Sequence, residues 1–442
     1  VGGQYHILTY GCQMNERDAE TIAGLLGGMD YTKTEHIGAA DIIIVHTCCV
    51  RESAENKILG KIGELTHLKK TNPNLIIGIC GCMVQQKETA EKLLKRAPHV
   101  DLIFGTHNLH QLPHLIKQNL LTGTRIFEVW DEEGQIVENL PAHREGSLKA
   151  FVTITYGCNN YCTYCIVPYV RGRERSRSPE EITKEITQLG KEGFREITLL
   201  GQNVNSYGKD LIDVKMDFSD LLAEIDTIPD VWRIRYMTSH PRDFNAKLVH
   251  TVKNRQHICP HFHLPIQSGS NRILAEMNRG YTKEQYLDLI SLIKEEIPKA
   301  SVTTDFIVGF PGENEADFEH TLDVVKKAKF DVSYTFLYSQ RSGTPAASMA
   351  AQISEEVKKE RLQRLISVQN KISLEINQRL AGQEVIVLVE GPSKTNPDVL
   401  TGRTDTNKIV IFSGDKSLIG QVVPVTIIEA KTWNLVGKVK GL

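Results

Sequence analysis

Cys158-Asn159-Asn160-Tyr161-Cys162-Thr163-Tyr164-Cys165 follows directly on an apolar, strand-like stretch at residues 150–156. The three cysteines have three and two residues between them, which leaves the set one ligand short of a closed metal site. A structural zinc takes four protein ligands, and each of the four irons of a 4Fe-4S cube needs an outer ligand. The open position is a place for chemistry. Half a zinc knuckle is the plain alternative, but a zinc ribbon needs a second cysteine pair at similar spacing, and the chain has none. Three core thiols fit poorly too, because Asn159, Asn160 and Tyr161 stand between them.

Outward from that loop, 442 residues are too many for one ordinary core and suggest two or three domains. Charged residues at 24% and hydrophobic residues at 40% are ordinary for a soluble protein. No apolar run approaches the roughly 18 residues that a membrane span needs, so no membrane partner is expected. Val1-Gly2-Gly3 leads straight into a polar-flanked strand without a visible signal peptide. Nine cysteines, an odd number, argue for reduced thiols and metal ligation in a cytoplasmic setting. A formal net charge of −2 gives no strong global field for nucleic acid, so any RNA contact must come from local patches.

Residues 1–130 alternate short apolar runs (6–10, 41–47, 75–81, 102–105) with helical patterns (15–26, 54–69, 88–95, 109–119). This rhythm predicts a small parallel sheet covered on both faces, flavodoxin-like in form. Residues 131–148 have little periodicity and read as a linker. From residue 149 the rhythm resumes, with strands expected at 150–156, 196–201, 233–239, 261–267, 301–309 and 332–338. Six such units fall short of the eight of a full barrel and predict a partial (β/α)6 barrel with its site at the strand C-termini. A long amphipathic helix over 353–380 closes this region. Residues 381–442, rich in Val, Ile and Thr, predict a small antiparallel β-barrel. The fold class is α/β with a terminal all-β unit.

Cys12, Cys48 and Cys82 each stand just beyond an expected strand of the first region. In a parallel sheet successive strand C-termini share one edge, so three distant residues converge there and form a second three-thiolate site. Buried structural cysteines would instead be expected inside strands. Cys49 adjoins Cys48 and Cys80 precedes Cys82. Position favours Cys48 and Cys82 as ligands, with Cys49, Cys80 and Cys259 as packed thiols.

The cysteine loop, with an aromatic before its last cysteine, resembles the signature of the radical S-adenosylmethionine enzymes. Two three-cysteine sites with a terminal β-barrel resemble the methylthiotransferase family over essentially the whole chain. The stretches that carry this likeness are Thr9-Tyr10-Gly11-Cys12-Gln13-Met14-Asn15, Pro168-Tyr169-Val170-Arg171-Gly172-Arg173-Glu174 and Leu200-Gly201-Gln202-Asn203-Val204-Asn205-Ser206-Tyr207-Gly208. His263-Leu264-Pro265-Ile266-Gln267-Ser268-Gly269-Ser270 and Gly402-Arg403-Thr404-Asp405-Thr406-Asn407-Lys408 add to it. His46 and Cys49 depart from the family pattern, which usually has Asn and a small residue there. The departure leaves the second auxiliary ligand open between Cys48 and Cys49.

The resemblance implies two 4Fe-4S clusters and S-adenosylmethionine. Cys158, Cys162 and Cys165 would hold the cluster that cleaves the cofactor to a 5′-deoxyadenosyl radical, and Cys12, Cys48 and Cys82 an auxiliary cluster that supplies sulfur. The implied reaction places a methylthio group on carbon 2 of an isopentenylated adenosine beside the anticodon of a tRNA. An aryl C–H bond is too strong for acid-base removal. Candidates to hold the cofactor are Tyr164, Gln202, Asn203, Ser239, His240, Gln267, Ser268 and Asp305, with Arg233 and Arg235 nearby and the glycines of Gly309-Phe310-Pro311-Gly312-Glu313 leaving room for a nucleoside. Arg171, Arg173, Arg175 and Arg177 on one loop, with Arg403 and Lys408 on a terminal barrel that resembles a TRAM domain, are the expected RNA contacts. Trp433 is a candidate for base contact, and residues 202–207 for reading a flipped-out adenosine. The implied partners are a flavodoxin or ferredoxin as electron donor and a carrier that renews iron and sulfur. The same chemistry on a threonylcarbamoyl-modified tRNA adenosine or on a ribosomal-protein aspartate is the near alternative. A non-catalytic iron-sulfur protein that binds RNA or senses redox state is the distant one.

Overall fold

The computed structural model describes residues 2–49, 52–146 and 148–439, so Val50 and Arg51 of the second cysteine motif, and Ser147 in the linker, lie outside the described residues. Six strands build the first sheet: β1 (Gln4–Thr9), β2 (Thr32–Lys33), β3 (Ile42–Thr47), β4 (Ile76–Gly81), β5 (Leu102–Phe104) and β6 (Ile126–Glu128). Their order is β2-β1-β3-β4-β5-β6, and every neighbouring pair is parallel. The order 2-1-3-4-5 is that of a flavodoxin-like sheet. Helices α1 (Gln13–Gly27), α2 (Glu52–Thr71), α3 (Cys82–Gln85), α4 (Lys87–Arg96) and α5 (Leu112–Thr122) connect the strands. Ile42 and Ile44 pack on one face of the sheet, Ile43 and Val45 on the other, which is why this run is apolar without alternation. The sequence reading missed β2, β6 and α3, all too short to show a period.

The strand order reverses between β1 and β3, so their C-terminal ends border a crevice. Cys12 follows β1, Cys48 follows β3, and Cys82 opens α3 directly after β4. Gly81 makes that last turn with φ of 101°, and a Cβ there would sit 2.4 Å from the Thr47 carbonyl oxygen. Only glycine lets the two strand ends approach so closely.

The central region opens with β7 (Lys149–Thr153), after which β8 (Thr155–Tyr156) and β9 (Arg175–Ser176) form a two-residue antiparallel pair. The cysteine loop and α6 (Val167–Arg171) are the excursion between them. Strands β10 (Glu196–Leu200) and β11 (Arg233–Tyr236) join β7 in one parallel sheet. Strands β12 (His261–His263), β13 (Ser301–Val308) and β14 (Val332–Leu337) form a second. A parallel bridge between Ile234 and Ile258 spans the seam, giving six parallel strands in chain order. Around them lie α7 (Pro179–Lys191), α8 (Phe218–Ile225), α9 (Ala246–Lys253), α10 (Asn271–Glu276), α11 (Lys283–Glu296), α12 (Glu315–Ala328) and α13 (Glu355–Gln378). Each starts on a cap: Ser178, Asp217, Asn245, Ser270, Thr282, Asn314 and Ser354 accept from the backbone three residues on. One core of Val152, Ile197, Phe262 and Phe306 against Ile186, Leu222, Tyr286 and Val325 binds strands to helices.

The last region is a closed barrel of β15 (Glu384–Pro392), β16 (Leu400–Thr404), β17 (Ile409–Ser413), β18 (Val422–Ala430) and β19 (Leu435–Val439), in the order β15-β16-β17-β19-β18. Four pairings are antiparallel and β17 with β19 is parallel. Five strands cannot close with alternating directions throughout, so one parallel pairing is geometrically required. The unit seats its 403–408 segment on the central barrel. Arg233 donates to the Arg403 oxygen at 2.5 Å and to the Ile386 oxygen at 3.1 Å, and Arg235 to the Thr404 and Asp405 oxygens at 2.7 and 2.9 Å. Arg233 and Arg235, expected near the cofactor, are instead at the start of β11 and hold this junction.

Candidate active site: two three-cysteine sites

Cys158, Cys162 and Cys165 stand together at the C-terminal end of the barrel strands, within one another's electrostatic reach. Gly157, at φ of 73°, takes the chain into the loop so close to the segment between α6 and β9 that a Cβ would meet the Arg173 oxygen at 2.0 Å. The loop is pinned from the far side: Thr163 donates to the Met277 oxygen at 3.1 Å and through its hydroxyl to the Glu276 oxygen at 2.8 Å, and Asn278 donates to the Tyr161 oxygen at 3.0 Å. Arg279, fully buried, donates to the Cys162 sulfur at 3.3 Å and the Tyr164 hydroxyl at 3.4 Å. Burial pushes the Cys158 thiol up to about 11 and the Cys165 thiol up to about 12. A bound cation is what would hold them as thiolates.

Among the described residues no three His, Cys, Asp or Glu groups gather closely enough for a single metal ion. A tetrahedral zinc would draw its sulfurs to about 3.8 Å of one another. A cube, by contrast, takes one sulfur at each of three separate corners, which fits a three-thiol donor set with no fourth ligand.

The polar rim above this loop is under-satisfied. Gln202 Oε1, Asn203 Oδ1, Ser239 Oγ and His240 Nε2 are buried without a hydrogen-bond partner. Such atoms cost free energy unless a ligand meets them. His240 Nδ1 accepts from the Arg242 backbone N–H at 3.2 Å, so the ring proton belongs on Nε2, a donor left waiting. Burial, then the Arg279, Arg242 and Lys209 charges, bring His240 down to about 2 and keep it neutral. Thr238 and Gln267, two residues past β11 and four past β12, hold φ of 71° and 77°, strained values for residues other than glycine. Asp305 faces His263 Nε2 at 3.5 Å, and the Ser268 hydroxyl accepts from the Ser270 N–H at 3.3 Å. Tyr164 packs among Ile273, Met277, Phe310 and Tyr338 beneath the loop. Tyr207 is a core residue whose hydroxyl donates to the Arg177 oxygen at 2.9 Å, not a reader of bases. The space over Gly309 is taken by Lys358, whose Cγ would lie 2.3 Å from a Cβ there, so this glycine serves the packing of α13.

At the first sheet, a Cβ on Gly11 would lie 2.9 Å from the Cys48 sulfur, which places Cys48 against the loop that carries Cys12. Cys49, expected as a packed thiol, is buried in hydrogen-bond contact with Cys82. Four thiols therefore serve this edge, and Cys82 is held below the ordinary thiol range by the bond from Cys49 and by Arg171, against the opposing effect of burial. Cys80 is fully buried and raised well above that range. Asn15, three residues past Cys12, donates to the Tyr10 oxygen at 2.7 Å and the Thr47 oxygen at 3.0 Å, tying two strand ends together.

The arginine loop corrects the sequence reading. Arg171 is buried and donates to Asn15 Oδ1 at 2.9 Å and Asp18 Oδ2 at 2.7 Å. Arg177 is buried against Glu138 and Glu185, at 2.7 and 2.8 Å. Arg175 donates to the Glu133 and Gly134 oxygens at 2.8 and 2.7 Å. Lys408 is bound to Asp331 at 2.5 Å and Asn377 at 3.0 Å. These four are committed to internal partners and unavailable to phosphate, because an alternating run marks alternation of faces and not exposure. Arg403 is partly exposed and held by Glu390 at 3.3 Å, while Arg173 is exposed. Trp433 is 57% exposed. Arg279 and Asp18 were missed, since nothing in their sequence neighbourhood separates them from surface polar residues, and Asn15 was read within the Cys12 stretch without a task of its own.

Three family models match the chain: "Uncharacterized protein family UPF0004" over residues 4–105, "Radical SAM superfamily" over 152–325 and "TRAM domain" over 378–440. A tRNA-2-methylthio-N(6)-dimethylallyladenosine synthase of Carboxydothermus hydrogenoformans is 55% identical over 98% of this chain and 98% of its own. Relatives of the same name from Acetivibrio thermocellus and Desulforamulus reducens are 54% and 56% identical, each over 98% of this chain and over 90% and 95% of their own. Among solved structures, the radical S-adenosylmethionine methyltransferase TsrM of Kitasatospora setae shares the fold, with a TM-score of 0.58 at 12% identity, over 87% of this chain and 78% of its own.

Proposed function

The chain belongs to the tRNA-2-methylthio-N(6)-dimethylallyladenosine synthases, radical S-adenosylmethionine transferases, and we propose that it inserts a methylthio group at carbon 2 of an isopentenylated adenosine beside a tRNA anticodon. When bound, a reduced 4Fe-4S cluster with S-adenosylmethionine supplies hydrogen-atom abstraction from an unactivated carbon, and a second cluster supplies the sulfur. The residues of this chain have the tasks of holding, orienting and excluding water.

Cys158, Cys162 and Cys165 hold the first cluster, with Arg279 fixing the Cys162 sulfur. Gln202, Asn203, Ser239 and His240 orient the cofactor, and their four unpartnered buried atoms are the observation that carries this reading. Gln267, Ser268, Asp305 and Tyr164 complete the pocket wall. Cys12, Cys48 and Cys82 hold the second cluster on the neighbouring sheet edge. Residues 1–130 thus carry the sulfur-donating site, 149–380 the radical site, and 381–442 with Arg173, Arg403 and Trp433 the RNA contacts, joined by the 131–148 linker. No helix among the described residues is long and apolar enough to cross a membrane. Work on tRNA in the cytoplasm, with a flavodoxin or ferredoxin as donor and an iron-sulfur carrier for renewal, completes the reading.

The test is anaerobic reconstitution followed by iron counting and turnover on tRNA bearing isopentenyladenosine. About eight irons, falling to about four in a Cys158→Ala, Cys162→Ala, Cys165→Ala variant with loss of 5′-deoxyadenosine and methylthio product, supports it. About four irons in the parent, or zinc, overturns the sulfur-donating half.

A further inference from the structure

Helix α6 leaves the radical loop just after Cys165 and ends on Arg171, so one short helix carries the chain from one cysteine set to the other. On its near face Ile166 and Val170 pack against Cys49 and Cys82. At its end the buried Arg171 guanidinium meets Asn15 Oδ1 at 2.9 Å and Asp18 Oδ2 at 2.7 Å, and the Cys12 sulfur donates to the same Asn15 oxygen at 3.9 Å. Through Asn15 the same group reaches the Tyr10 and Thr47 carbonyls, which lead to Cys12 and Cys48. Arg171 is too deep to meet phosphate and is no metal ligand, so the reading above leaves it without a task.

We propose that Arg171 is a positioning residue for the auxiliary cluster, holding a buried positive charge against the Asn15 oxygen that also meets the Cys12 sulfur and raising the reduction potential of that cluster. Reduction adds negative charge to a cluster, and a nearby buried cation favours the more negative state. Arg279 donates to the Cys162 sulfur at 3.3 Å, so a buried guanidinium stands at each cysteine set, directly on a sulfur in one and through Asn15 in the other. The two differ in origin. The auxiliary ligands come from the first sheet and their arginine from the central barrel, so the potential of that cluster depends on the docking of one region upon the other. Asp18, on α1, offsets part of the guanidinium charge.

The inference rests on Cys12, Cys48 and Cys82 as cluster ligands. Its test uses the full chain carrying Cys158→Ala, Cys162→Ala and Cys165→Ala, which leaves the auxiliary cluster alone, titrated with reductant and read by EPR. Arg171→Met should make reduction at least tenfold less favourable, about 59 mV for a one-electron couple. Asp18→Asn, nearly isosteric, should move it the other way, because the guanidinium charge is no longer offset. Both variants holding about four irons with reduction equilibria within twofold of the parent, about 18 mV, would overturn the proposal. Loss of iron from both, in chains that still fold by circular dichroism, also overturns it and makes Arg171 an assembly residue. A parent with no cluster at all would instead sink the ligand assignment beneath it.

Discussion

Arg279 Nη1 reaches the Cys162 sulfur at 3.3 Å across 117 residues of chain, and its other nitrogens bind the Pro265 oxygen and the Tyr281 hydroxyl, each at 2.8 Å. The chain beyond β12 and α10 thereby sets the position of the Cys162 sulfur on the loop after β8. Replacing Arg279 by Met removes charge and fork together and leaves Cys162 against apolar carbon. Reductive cleavage of S-adenosylmethionine, followed as 5′-deoxyadenosine, should fall at least tenfold, whereas tRNA affinity in a filter assay should hold.

Cys48 and Cys49 are separable by mutation. Cys48 lies against Gly11 beside Cys12, and Cys49 against Cys82. With Cys48 as ligand, Cys48→Ala should cut iron from about eight to about four per chain, while Cys49→Ala should keep about eight. The reverse pattern would move the assignment to Cys49.

His240 is neutral, brought down to about 2 by burial and by the Arg279, Arg242 and Lys209 charges. S-adenosylmethionine affinity should then be flat between about pH 6 and 8, where an ordinary histidine titrates. His240→Ala removes one buried donor, a loss of about 1–3 kcal/mol, or roughly five- to hundredfold in Kd by calorimetry. For folding the sign is fixed by the depressed value. The stability held by neutral His240 is full above the unfolded value near 6.5 and is lost as pH falls toward about 2.

The arginine run divides by partner. Arg173→Ala should lower the salt slope of tRNA binding by about one counterion, because that side chain is exposed. Arg177→Met should leave the slope unchanged and cost about 3–5 kcal/mol of stability, since it strands Glu138 and Glu185 in a buried network. Denaturant melts beside binding isotherms read both.

The strand runs of the first sheet, such as Ile42 to Val45, made the element order legible, because hydrophobic period is local. Short pieces such as β2 and α3 were not legible, having no room for a period. The six cysteines were readable for a similar reason: a strand C-terminus in a parallel sheet has a known edge.

What the chain order alone determined was which residues stand at those edges, and hence three regions, two thiol sets and a polar rim at Gln202, Asn203, Ser239 and His240. What only the tertiary structure decided was the fate of the long cationic side chains. Arg171, Arg177 and Lys408 were read as phosphate contacts and are internal, while Arg279 was not singled out and touches the Cys162 sulfur. A guanidinium is placed by whichever acceptor the fold brings to it. For these residues the acceptors Asp18, Glu185, Asp331 and Cys162 are supplied by distant elements whose proximity no local pattern encodes.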